Sequence, residues 1–375
     1  MPPHPQRTRL RDFAAFGIMI FILSFTLNVY IWFHLSYLWH IPHDLLFWGL
    51  LVLSTVSWFL AMAIDSVLSN RATGALYIAS LVWMGFEIYM MFALEAYDIV
   101  RLTWGADPKV AAIVLPAVVI GMVVASMAIT QFIRVRRIGL GSDKLTRDLR
   151  IVQLSDMHIG AIHGRGRLAR LVRLANAQEP DVVLITGDLV DGPGRFRDGM
   201  FSLLDDLKAP VLFTTGNHEY YAGLDEVLAV LARTRVRVLR NELAEMDGYS
   251  IIGLDDGWGG AVGETLSRIP HDRSAFTVLM FHRPSGLEAA AAEGVDLQLS
   301  GHTHGGQFVP FPLLARAIWR RYSGLHEHGG AHLYCTTGAG TWGPPFRLGT
   351  MCEIAVFDIK GHAKNIPAGN VKVPA

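Results

Sequence analysis

Four apolar runs crowd the first third of the chain: Phe13 to Trp32, Leu45 to Ile64, Gly74 to Leu94 and Val110 to Thr130. Each is long enough to cross a bilayer as a helix, which takes about 20 residues. A soluble core cannot bury four such stretches, and a cleaved leader would explain only one of them. The sequence therefore predicts a four-helix transmembrane region over residues 1–133. Trp32, Trp39, Trp48, Tyr97 and Trp104 gather near the ends of the runs, where an interfacial aromatic belt would lie. Hydrophobic residues make up 51% of the 375 positions and charged residues 18%, with the apolar excess mostly before residue 134. Basic and acidic residues balance at 33 each, so charge gives no pointer to nucleic acid, and none is expected as a partner.

Orientation follows from the flanks. Arg7, Arg9, Arg11, Arg71, Arg134, Arg136 and Arg137 fall on one side of four spans, against Arg101 and Lys109 on the other. The positive-inside bias places both termini, and with them the remainder of the chain, on the cytoplasmic face. Glu87 lies inside the third run, where a carboxyl is costly unless it is paired or faces a polar cavity. It could belong to a transport path or bond to a neighbouring span.

Residues 134–150 turn polar and basic, with Gly139, Gly141 and Ser142 against any helix, and read as a basic linker at the domain boundary. From Ile151 the chain alternates apolar strand-like runs with helical stripes such as Leu168, Leu171, Val172 and Ala175. Alternation of this kind predicts an α/β layered domain over 151–360 with its site beyond the strand ends. Residues 361–375 form a C-terminal tail. The two cysteines, Cys335 and Cys352, are too few for a disulfide framework and read as buried thiols.

Five stretches carry chemistry, each where a strand gives way to a loop. They are Asp156-Met-His158, Gly187-Asp188-Leu-Val-Asp191, Gly216-Asn217-His218-Glu219, His282 after an apolar run, and Gly301-His302-Thr-His304-Gly-Gly. Residues two apart on an extended segment point the same way, so Asp156 and His158 project together. Oxygen and imidazole donors without thiolate suit Mn, Zn or Fe. The supply exceeds one four-coordinate ion, so two divalent ions are expected. His271 is a rival donor, but it follows no apolar run and reads as a solvated loop residue.

In order and spacing these motifs resemble the calcineurin-like metallophosphoesterases. The fuller forms Ser-Asp-Met-His-Ile-Gly and Ser-Gly-His-Thr-His-Gly-Gly-Gln look like the branch containing the bacterial YkuE and YaeI phosphoesterases. The likeness covers roughly residues 150–360 and leaves the apolar third outside it. It implies an αββα sandwich and hydrolysis of a phosphoester or phosphodiester by a metal-bound hydroxide. Carried over by motif, Asp156, His158 and His304 would hold one ion and Asn217, His282 and His302 the other, with Asp188 bridging. His218 would face the phosphate, stabilising the transition state or protonating the leaving oxygen. Asp191 and Glu219 would orient ligands or His218. Arg283, directly after His282, departs from the family, where an uncharged residue is common.

The segment Phe311 to Tyr322 mixes Leu313, Leu314, Ile318 and Trp319 with Arg316, Arg320 and Arg321, as an interfacial segment does. With the spans, it points to a lipid or lipid-linked substrate. A transporter-like or scaffold membrane protein with a regulatory phosphoesterase domain is the alternative. The Gly- and Pro-rich stretch from Gly338 to Phe346 reads as a cleft wall or a tight turn.

Overall fold

The computed structural model describes residues 5–192, 199–257 and 262–361, with side chains from residue 17 onward in the first helix. The side chains of Arg7, Arg9 and Arg11 and the tail beyond residue 361 lie outside the described residues. Two compact units emerge. Met1–Ala128 with Gly343–Phe346 forms one, and Ile129–Trp342 with Arg347–Ala375 the other.

The first unit consists of α1 (Pro5–Trp39), α2 (Leu45–Leu68), α3 (Arg71–Trp104) and α4 (Pro108–Ile129). All four helices are long and apolar enough to cross a membrane. Asp44 caps α2 by accepting from Phe47 N. Asn70 and Thr73 form a capping box on α3, and left-handed Gly105 closes it. Large apolar side chains such as Leu45, Val67, Leu102 and Ile113 point outward. Polar ones point in: Asn28, Ser54, Thr55, Glu87 and Ser126 are buried. Tyr89 and Ser126 share a 2.8 Å hydrogen bond, and Trp32 Nε1 donates to Ser54 Oγ at 3.0 Å. This distribution is the reverse of a soluble bundle and suits a lipid solvent.

The second unit is a sandwich of two six-stranded sheets. Its elements, in chain order, are β1 (Ile133–Ser142), β2 (Leu149–Leu154), α5 (Arg165–Asn176), β3 (Val182–Thr186), β4 (Val211–Thr214), α6 (Asn217–Ala222), α7 (Leu224–Leu231), β5 (Arg237–Val238), β6 (Glu242–Met246) and β7 (Tyr249–Gly253). There follow α8 (Val262–Leu266), β8 (Phe276–Met280), α9 (Leu287–Ala292), β9 (Leu297–Ser300), α10 (Phe311–Ile318), β10 (Gly324–His328), β11 (Ala331–Cys335) and β12 (Cys352–Gly361). One sheet runs β1-β12-β2-β3-β4-β5 and the other β10-β11-β9-β8-β7-β6.

Strand alternation explains the layers. On β2, Ile151 joins Val182, Leu184 and Phe357 against Val278, Met280, Leu297 and Leu299 of the second sheet. Its neighbours Val152 and Leu154 face the other way, onto Leu168, Leu171 and Val172 of α5. The outer face of the second sheet, with Ile252 and Leu279, is covered by Val262, Leu266 and Ala290 of α8 and α9. Helix, sheet, sheet, helix is the αββα order. Both cysteines are free and buried.

The basic stretch 134–150 is not a linker throughout. Residues 133–142 are β1, parallel to β12 from Ile133↔Cys352 to Ser142↔Gly361. Its glycines oppose helix but not an edge strand, and its arginines suit one. Arg137 pairs with Asp358 at 3.1 Å. The turn at Ser202–Asp206 is a 3-10 helix rather than an α-helix.

Candidate metal centre

Every motif lies just past a strand end. Asp156 and His158 follow β2, Asp188 and Asp191 follow β3, and Asn217 and His218 open α6 beyond β4. From the second sheet, His282 follows β8, and His302 and His304 follow β9. Gln153, at the inner face of β2, ties the sheets together near these ends by donating to Thr186 Oγ1 (2.8 Å) and Ser300 O (3.0 Å).

Three clusters result, in each of which the donor atoms lie within 4.8 Å of one another. They are Asp156/His158/His304, Asp188/His282/His302 and His158/Asp188/His218. His158 Nε2 and His304 Nε2 are 3.0 Å apart. His304 Nε2 is 3.4 Å from Asp156 Oδ1, and His282 Nε2 is 3.1 Å from Asp188 Oδ2. His302 Nδ1 is 2.9 Å from Asn217 Oδ1. The structure thus brings together all seven expected metal ligands. His218 is added to their neighbourhood, close enough to His158 and Asp188 to be a ligand itself.

The donor set fits cations. Asp156 Oδ2, His158 Nδ1, His218 Nδ1 and His282 Nε2 are buried without a hydrogen-bond partner. Buried polar atoms in native proteins are almost always satisfied, so four in one pocket need an external charge. The protein's own fields prepare the required protonation state at some of these residues and oppose it at others. Burial lowers His302 to about 3 and His218 to about 4, keeping both neutral. Asp188 is held well below the carboxylate range, because His282 and His218 outweigh its burial. Burial would lower His282, but Asp188 raises it to about 10. Burial raises Asp156. A divalent ion requires neutral imidazoles beside ionised carboxylates, so its binding displaces the proton that Asp188 holds on His282.

The backbone is strained where the ligands sit. Asp156, His158, Asp188, His302 and His304 all have φ between 45° and 73°, a region unusual for side-chain-bearing residues. Strain of this kind concentrates at functional sites. The glycines beside them allow close approach to these side chains. A Cβ on Gly216 would lie 2.2 Å from Asp188 Oδ1, and one on Gly301 2.1 Å from Asp156 Oδ2.

The surrounding shell is explicit. His282 Nδ1 donates to Thr186 O at 2.8 Å, which turns Nε2 toward Asp188. Asp156 Oδ1 accepts from His302 N and Asp188 Oδ1 from His218 N, each at 2.9 Å. Asp191 Oδ1 lies 3.6 Å from His218 Nδ1 and 3.8 Å from His158 Nδ1, between the two rings. Glu219 does not touch the His218 ring. Its carboxylate accepts from the backbone N–H groups of Asp188 (3.0 Å), Leu189 (2.8 Å) and Gly216 (2.6 Å), and so holds the turn. Burial and the Asp188 charge raise it to about 7.

Arg283 is neutralised where it stands, by a two-pronged pair with buried Asp256 at 2.7 and 2.9 Å. The expectation of a solvated His271 needs correcting, because both its nitrogens bond to carbonyls, of Ile269 and Glu293. Sequence reasoning overlooked Trp342 and Tyr221, whose rings lie 6.2 and 5.3 Å from His218. It also overlooked Arg347, which directly follows the stretch read as Gly- and Pro-rich. No strand-end histidine or aspartate flags these positions.

A strand-end pocket of this composition in an αββα sandwich defines the class of metal-dependent phosphoester hydrolases. The profile of the calcineurin-like phosphoesterases matches residues 149–306. An uncharacterized metallophosphoesterase of Aquifex aeolicus (strain VF5) is 34% identical over 248 residues, which is 62% of this chain and 94% of that one. The uncharacterized metallophosphoesterase YkuE of Bacillus subtilis (strain 168) is 33% identical, over 56% of this chain and 79% of its own. A transmembrane protein with metallophosphoesterase domain from Bos taurus is 32% identical, over 55% of this chain and 52% of its own. The chain belongs to the calcineurin-like metallophosphoesterase family, whose members normally use divalent metals, and its four apolar helices make it a membrane protein.

Proposed function

We propose that this chain hydrolyses a membrane lipid phosphoester or a lipid-linked phosphodiester with two divalent ions, Mn, Zn or Fe. Asp156, His158 and His304 would hold one ion, Asn217, His282 and His302 the other, with Asp188 shared between them. Such a pair supplies, when bound, an acidified water and a clamp on the attacking and leaving oxygens of the phosphoryl group. His218, neutral because of burial, donates a hydrogen bond to a phosphoryl oxygen, and Asp191 orients its ring. Burial favours this role over protonation of the leaving group, since an imidazole lowered to about 4 carries little acid at neutral pH.

One observation carries the lipid reading. Helix α10 exposes Leu313 (75%), Leu314 (53%) and Ile318 (64%) to solvent, and Trp319 at its end sets its ring against His302 at 5.3 Å. An exposed apolar face that runs directly into a metal ligand is suited to acyl chains. Arg316 and Arg320 are exposed beside it for headgroup phosphates, while Arg321 is already paired with Glu288.

The test is hydrolysis by the full chain in mixed micelles, set beside a soluble phosphodiester, with and without added Mn. Turnover of the lipid should follow its surface density rather than its bulk concentration. Changing Leu314 and Trp319 to Ser should impair lipid hydrolysis and spare the soluble ester. Equal loss on both substrates, or loss on neither, removes α10 from lipid access. The bias of flanking arginines places the catalytic domain in the cytoplasm. Cleavage beyond Arg150 by protease added outside intact cells would reverse that orientation.

A further inference from the structure

Arg347 is fully buried, at 0% exposure, yet no carboxylate among the described residues lies within ion-pair distance of it. A guanidinium in that position is expensive, and an apolar side chain of similar size would be cheaper unless the charge or its fork has a use. Its donors show where that use lies. Nη1 donates to His304 O at 2.9 Å and to Thr350 Oγ1 at 3.2 Å. Nη2 donates to Thr337 O and Gly340 O, both at 2.7 Å, and points at His304 Nδ1 from 3.2 Å. Nε has no partner.

The two arms therefore grip the backbone of one metal-site histidine and also the loop beyond β11. That loop is in turn fastened to the other half of the same cluster. Gly340 N donates to Asp156 O at 2.8 Å and Ala339 N to Ser155 O at 2.9 Å. A Cβ on Gly338 would fall 2.7 Å from the Asp156 Cβ. Asp156 and His304 come from different sheets and sit on left-handed backbone, so neither holds its place by local preference. Among the described residues, Arg347 bonds both to the His304 backbone and to the loop lying on Asp156.

We propose that Arg347 is a positioning residue for the ion site formed by Asp156, His158 and His304, fixing the distance between its two halves. The proposal rests on the two-ion reading above. Planar, five-donor geometry is what makes arginine suitable here, because a lysine could carry the charge but not span three carbonyls.

The experiment measures metal, not turnover. Full-length protein in detergent is stripped with chelator, reloaded with Mn, and its bound equivalents and their affinities are determined. In Arg347→Ala one equivalent should weaken by about 10–100-fold, the usual effect of losing a residue that orients a ligand, while the other is unchanged. Guanidinium at millimolar concentration should restore the lost equivalent in Arg347→Ala, and ammonium at the same concentration should not. A purely structural role would weaken both equivalents and show no such difference between the two cations. Arg347→Lys, which keeps charge and most of the volume, should show the same single loss, and it decides the matter if the Ala variant does not fold. On a His304→Ala background, Arg347→Lys should have little further effect. Two equivalents of wild-type affinity in Arg347→Lys would overturn the proposal. A wild-type chain that loads only one equivalent would instead overturn the two-ion reading, and Arg347 is then judged by whether Arg347→Lys weakens that one.

Discussion

Glu219 offers a sharp test of how the Asp188 turn is built. Its carboxylate is buried, and all its acceptor capacity goes to backbone donors. Oε2 takes Asp188 N and Gly216 N, and Oε1 takes Leu189 N, with Val190 N more distant at 3.4 Å. Glu219→Gln preserves shape and volume but replaces one oxygen with an NH2 that cannot accept. Whichever way the amide turns, at least one short N–H faces another donor. An unsatisfied buried N–H costs about 1–3 kcal/mol, and loss of a charge-assisted bond adds to that, so about 2–4 kcal/mol is expected. For a unit of this size that corresponds to a fall in melting temperature of roughly 4–16 °C. The assay is thermal unfolding at pH 8, above the value of about 7 to which burial and Asp188 raise Glu219, so that the wild-type group is ionised. Metal content is measured on the same samples, and because His218 N and Gly216 share this turn, the Asp188 ion should weaken as well. A variant melting within 1–2 °C of wild type with unchanged metal affinity would refute the argument.

Asp188→Asn should lower metal content and turnover together, since Asp188 is the ligand proposed to be shared; two full equivalents with normal activity would contradict that role. His218→Ala should keep its metal and lose about 10²–10⁴-fold in rate, the usual contribution of a positioned imidazole, and loss of metal with normal turnover after reloading would make His218 a ligand instead. Burial lowers His163 from 6.5 to about 3, with its ring bonded to Thr341. The unfolded chain then takes the proton first as pH falls, so stability is lost on going from about pH 6.5 toward 3, by about 2 kcal/mol at pH 5. In chelator, His163→Gln should remove that part of the drop in melting temperature between pH 7 and 5, and an unchanged drop would exclude His163 as its source.

Much of this could be read from the chain in one dimension. The four helices were legible because apolar length is a local property and the bilayer sets its scale. The strand-end motifs were legible because a ligand must follow the strand that aims it, so Asp156, Asp188, His282 and His302 announce themselves by what precedes them. β1 was not, since Arg134, Arg136 and Arg137 hid an edge strand whose only evidence is its pairing with β12, more than 200 residues later. Nor could Arg347 be found, because its meaning lies in carbonyls of His304, Thr337 and Gly340 that only the closed sandwich brings around it. The particular task of Glu219 was hidden for the same reason. Sequence left it to orient ligands or His218, and helix α6 turns it toward the backbone of a turn 30 residues earlier. Left-handed φ at five ligand residues is likewise a tertiary decision: no local preference favours it, and the packing of two sheets imposes it. The sequence alone determined which atoms could hold metal, because donor chemistry is carried by residue type. The tertiary structure decided which of them stand close enough to share an ion and what holds them there, because those are distances between segments that local interactions do not specify.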